Sequence, residues 1–119
     1  MKSKDFRRIA LGLQDAVEGT HMGHPDFRVG GRIFATLSAD ERQGMVTLTP
    51  DEQDVVVRAN PGVFAPASGA WGRQGCTMVQ LVSAEADTVG EAMTQAWQNA
   101  VKKNAAKKAP KKKTPIKKR

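Results

Sequence analysis

Apolar residues recur at three- and four-residue spacing near the start of the chain, where Phe6, Ile9, Ala10, Leu13 and Val17 form a single stripe. That spacing predicts an amphipathic helix of about 14 residues, one face packed and the other wet. Ser3 stands where a hydroxyl can cap the first turn, Asp5 suits the positive end of the helix dipole, and Gly19 stops the run. The period then drops to two. Phe27 and Val29 alternate with polar neighbours, Gly30-Gly31 forms a two-residue turn, and Ile33, Ala35 and Leu37 share one face of the return strand. A polar turn from Ser38 to Gly44 leads to a third short strand from Met45 to Leu48.

Thr49-Pro50-Asp51-Glu52 is a helix start, with Thr49 as cap, Pro50 in the first helical position and Glu52 placed to complete a capping box. This second helix carries Val55, Val56 and Ala59 and ends at Pro61-Gly62. From Val63 to Gly75 the chain is rich in Pro, Gly and Ala around Trp71, which predicts an irregular loop or bulged strand. Cys76 to Val82 alternates as a strand. Ser83 or Asp87 opens a last helix with Val89, Ala92, Met93, Ala96, Trp97, Ala100 and Val101 on its apolar side. The order α-β-β-β-α-(β)-β-α reads as an α+β fold, an antiparallel sheet with helices packed on one face. Phe6, Ile9, Leu13, Ile33, Leu48, Val79, Leu81, Met93 and Trp97 are the expected core.

Charge changes the picture. At 119 residues the chain is one domain, and its net charge of +7 is unevenly spread. Residues 1–101, the expected folded domain, hold nine basic and twelve acidic side chains. Residues 102–119 hold ten cations (Lys102, Lys103, Lys107, Lys108, Lys111, Lys112, Lys113, Lys117, Lys118 and Arg119) and no acid. With Pro110 and Pro115 and no apolar period, this segment is expected to be a disordered basic tail like those of linker histones, binding polyanions by counterion release. No apolar stretch approaches the roughly 18 residues of a membrane helix, and no signal-peptide pattern is present, so no membrane contact and a cytoplasmic location are expected. The lone Cys76 excludes an intramolecular disulfide and a multi-cysteine zinc site.

Candidate chemistry is sparse. His21, His24 and Asp26 lie close in sequence, but zinc takes three or four protein ligands, so the histidines are expected to fix a loop, with no metal and no cofactor. Cys76, inside a strand, reads as a small buried hydrophobe rather than a nucleophile. No serine sits in a nucleophile elbow, and Gly69 to Gly75 lacks the Lys-Ser/Thr ending of a phosphate loop. The expectation is therefore a protein that is not an enzyme. Arg28 and Arg32 flank the Gly30-Gly31 turn and are expected to present two guanidinium groups at one hairpin tip. Arg73 accompanies Trp71 in the second glycine-rich segment, where Trp71 is expected to plug the core more readily than to stack on a base.

Three blocks carry a resemblance: GTHMGHPDFRVGGRIFATL from Gly19 to Leu37, LTPDEQ from Leu48 to Gln53, and GAWGRQGCT from Gly69 to Thr77. In this order they resemble the MmcQ/YjbR family over roughly residues 5–101. The resemblance implies a compact YjbR-like fold, related in shape to CyaY-like domains. It also implies a double-wing DNA-binding surface, here carried by Arg28 and Arg32 around the first wing and Arg73 in the loop before the last strand. DNA, held mainly by its phosphates, is the expected partner. A protein-interaction module with an incidental tail is the alternative.

Overall fold

The computed structural model describes residues 1–113, with side chains to residue 106. Helix α1 (Ser3–Leu11) is followed by strands β1 (Val17–His21), β2 (His24–Val29), β3 (Arg32–Leu37) and β4 (Gln43–Thr47). Helix α2 (Pro50–Ala59), strand β5 (Phe64–Pro66), the short helix α3 (Gly69–Arg73) and strand β6 (Cys76–Gln80) come next. A single 3₁₀ turn, Leu81–Ser83, then leads into helix α4 (Ala86–Lys113). The strands form one antiparallel sheet in the order β1-β2-β3-β4-β6-β5, with the helices packed on one side. The expected α+β fold is thus the observed one. Among the described residues no helix is long and apolar enough to cross a membrane.

Several local expectations are corrected. The first helix stops at Leu11, because the chain turns at Gly12 and Asp15 takes a positive φ of 62°. Ser3 is its first helical residue rather than its cap, and the Lys2 N–H donates to Asp5 Oδ2 at 3.0 Å. Val17 leaves the helical stripe and opens edge strand β1, where it is exposed. His21 and His24 close the β1–β2 hairpin around Met22 and Gly23, both at positive φ, as a two-residue turn of this hand requires. The segment expected to be irregular holds β5 and α3. The last helix opens at Ala86, and the Ser83 hydroxyl instead donates to the Gly62 carbonyl at 2.7 Å. The boundary expected after Val101 falls inside α4, which continues to Lys113; residues 114–119 lie outside the described residues.

The predicted turn at Gly30-Gly31 and the Thr49 cap are present as read. Thr49 Oγ1 accepts from the Glu52 N–H at 3.2 Å, and Glu52 Oε1 accepts from the Thr49 N–H at 3.0 Å. Of the expected core, Phe6, Leu48, Val79, Leu81 and Met93 are buried, while Ile9, Leu13 and Trp97 pack half-buried at its margin. Val55 is exposed. Ile33 is the exception with a clear cause. A β-bulge falls where Phe27 pairs with Ala35 but Arg28 pairs with Ile33, so Phe34 is an extra residue turned inward and fully buried. Ile33 is thereby turned to the opposite face.

All four phenylalanines are buried, and Phe6 sets how close α1 can lie. Its ring meets Phe27 at 6.0 Å between centroids and rests on Gly44 of β4, where a Cβ would come within 2.5 Å of the ring. The buried ring has no room to swing aside. Gly44→Ala is therefore expected to destabilise the fold by about 1–3 kcal/mol, as overpacked cores do, measured by denaturant unfolding. An unchanged midpoint would refute the contact.

Arg7 binds α1 to the sheet margin. Its Nε donates to Glu18 at 3.1 Å, and its two terminal nitrogens donate to both oxygens of Glu41 at 3.1 Å. Those hydrogen bonds hold the Glu41 carboxyl below the usual glutamate range. A carboxyl depressed in the folded state stabilises above its unfolded value, about pH 4.3, and the contribution is lost as pH falls through the lower folded value. The stability gap between the native protein and Glu41→Gln should be open at neutral pH and close in acid. A thermal unfolding series from neutral to acid pH checks this; a gap that does not close would count against the pairing.

Candidate nucleic-acid interface

The β2–β3 hairpin and α3 stand on either side of a groove of about 350 Å³ at one end of the sheet. Arg32 and Ile33 form one wall, Trp71 and Gln74 the other. Thr47 to Pro50 and Cys76 make the floor, and Asn99, Ala100 and Lys103 of α4 close the helix side.

Each wall is fixed by a polar side chain that sequence reasoning overlooked. On the hairpin side, Asn104 of α4 donates from Nδ2 to the Val29 carbonyl at 3.1 Å and accepts from Arg32 Nε at 3.3 Å. Gly30 makes room for it, since a Cβ there would lie 2.5 Å from Asn104 Nδ2. On the other side, Gln53 Nε2 donates to the Gly72 and Cys76 carbonyls, both at 3.0 Å, joining α2 to α3 and β6. Gly72 and Gly75 allow the close approach: a Cβ would fall 1.7 Å from the Ala67 oxygen at the first and 1.9 Å from the Leu48 oxygen at the second. Asn99 Nδ2 donates to Glu52 Oε1 at 2.8 Å and ties α4 to the cap of α2. A hint lay in the sequence, because Gln53 closes the second motif block and Gly72 and Gly75 punctuate the third.

The expected pair of arginines does not form one tip. Val29 pairs with Arg32 and Arg28 with Ile33, so the two guanidinium groups leave on opposite faces. Arg28 makes a bidentate contact with Asp26, 2.9 Å from Nε and 3.0 Å from Nη2, over the side away from the helices. That contact raises the Arg28 pKa and answers a carboxylate that is fully buried. Arg32 lies on the helix side, where the bulge puts it; regular alternation from Ala35 would have sent it to the other face. Among the described residues Arg7, Arg8, Arg28 and Arg58 pair with carboxylates, whereas Arg32, Arg73 and Lys103 do not.

Trp71 is 68% exposed, so the expectation of a core plug is corrected: α3 turns the indole outward onto the groove. Arg73 is also exposed, at the end of the same helix. Cys76 is half-buried on the groove floor rather than fully inside, and desolvation raises its thiol pKa despite nearby Lys103. His21 and His24 are exposed at the far end of the β1–β2 hairpin, away from the groove. Among the described residues no three His, Cys, Asp or Glu side chains are grouped to hold a metal ion. Lys102 is exposed and Lys103 lines the groove. Lys107, Lys108, Lys111, Lys112 and Lys113 fall within the span of α4, and Lys117, Lys118 and Arg119 lie outside the described residues.

The six-stranded sheet, its one-sided helices and the cleft between hairpin and α3 define a small α+β domain with a partly cationic groove. The chain belongs to the YjbR family, whose model matches residues 11–99. Among solved structures it is similar to Deinococcus radiodurans protein DR2400, described by a DUF419 domain, at a TM-score of 0.73 and 20% identity over 87% of this chain and 80% of that one. Comparison with curated proteins finds no match.

The two arginines should separate experimentally. Arg28→Ala strips the buried Asp26 of its partner and is expected to lower the unfolding midpoint by several degrees. Arg32→Ala, losing a neutral partner at the surface, should leave the midpoint nearly unchanged. Scanning calorimetry of both variants decides; equal losses would refute the division.

Proposed function

We propose that the protein is a cytoplasmic, non-catalytic DNA-binding module that grips phosphates and reads little sequence. The observation that carries this reading is the convergence of unpaired cations at one place. Arg32 and Lys103 face the same groove, Arg73 ends the short helix α3 that supplies Trp71 to its far wall, and the helix supplying Lys103 continues into the lysine-rich segment. The hairpin and α3 serve as the two wings. Because the domain as a whole carries more acid than base, affinity comes from this local set and from the segment after it, with phosphate contacts fixing position.

Counterion release makes the reading measurable, since each neutralised phosphate contributes about −0.9 to the slope of log K against log salt. The full chain, with six to eight contacts formed at once, is expected to give a slope of about −5 to −7. A chain ending at Ala106 keeps Lys103 and Asn104 but loses eight cations, and its slope should fall to about −2, with affinity lower by orders of magnitude. Salt-titrated fluorescence anisotropy on the two chains provides the check. Equal affinities would assign binding to the groove alone. No binding by either near physiological salt would replace this reading with the protein-interaction module.

A further inference from the structure

Phosphate binding alone leaves Trp71 without a purpose. An indole 68% exposed is an unfavourable surface residue, yet α3 is built to hold it there, with Gln53 on the Gly72 carbonyl and two glycines at backbone contact. A solvated cation on a flexible stem would serve a phosphate equally well. The indole lines a recess whose other walls include apolar Leu48 and Pro50, flanked by Arg32 and Lys103. At about 350 Å³ the recess falls in the range of small-molecule sites, roughly 300–1,000 Å³.

A closed duplex cannot use such a recess. Its base faces are covered by their neighbours, so a side chain between two walls meets only backbone and groove edges. An unpaired base offers a free π-face to an aromatic ring while its own phosphates reach adjacent cations, the arrangement by which single strands are held without sequence readout. We propose that the groove takes one unpaired base stacked on Trp71, with the flanking phosphates on Arg32 and Lys103, so that the protein prefers single-stranded or locally opened DNA to closed duplex. This rests on the DNA-binding reading and narrows its ligand.

The full chain is titrated with a labelled oligo-thymidine strand and with a duplex of equal length at one fixed salt concentration. The single strand should bind more tightly. Trp71→Ala should weaken single-strand binding by about 5- to 150-fold, the range for loss of one base–aromatic stack, and weaken duplex binding far less. Trp71→Phe, which keeps a ring, should recover most of the loss. Two readouts need no affinity. Single-strand binding should quench tryptophan emission in the native protein but not in Trp71→Phe, where only Trp97 remains, and it should slow alkylation of Cys76 on the groove floor. If both DNAs bind but Trp71→Ala weakens them equally or neither, the base site is wrong while DNA binding stands. If the native protein binds neither DNA, both readings fall.

Discussion

The closeness of α4 to the sheet governs the functional end of the molecule. Ala92, Ala96 and Ala100 recur every fourth residue on the buried side of this helix, preceded by Val89 and joined by Met93, all essentially inaccessible. Methyl side chains let the helix axis approach β3 and β4 more closely than leucines would, since interaxial distance follows the side chains at the contact. At that approach the helix passes beside the hairpin tip, where Asn104 reaches the Val29 carbonyl and the Arg32 guanidinium. A bulkier stripe would lift the helix, part Asn104 from its partners and carry Lys103 away from the groove.

Much of this architecture was legible in the chain. The Gly30-Gly31 turn and the Thr49 cap are local chemistry, decided by a few adjacent residues, and both survive folding unchanged. What could not be read was decided at long range. Val17 continued a helical stripe, but Gly12 broke the helix and edge strand β1 claimed it. Ile33 and Phe34 are adjacent apolar residues, and only the pairing register with β2 shows that they point opposite ways. Trp71 looked like core by residue type, whereas its exposure depends on backbone contacts made by Gly72 and Gly75.

The candidate site was legible in its cations but not in their division of labour. Arg28 and Arg32 look equivalent around a turn, yet one satisfies a buried carboxylate and the other has only an amide oxygen for company. A domain more acidic than basic can thus still offer a local positive surface, because its carboxylates are spent elsewhere. Glu18 and Glu41 are held by Arg7, and Glu52 by its helix cap and Asn99. Asn104 and Gln53 carry no motif of their own, and their importance appears only when residues distant in sequence become neighbours.

The bulge in β3 bears on how this hairpin tolerates changes of length. Phe34 is the one residue of the strand without a partner opposite it, and Ile33 and Arg32 already pair in phase with Arg28 and Val29. Removing position 34 would erase one aromatic from the core yet keep every cross-strand pair nearer the turn. A deletion in β2, away from the bulge, would slide the ladder and exchange its two faces. A homologous hairpin one residue shorter at this point would read as a perfectly alternating strand while delivering its arginine to the same side.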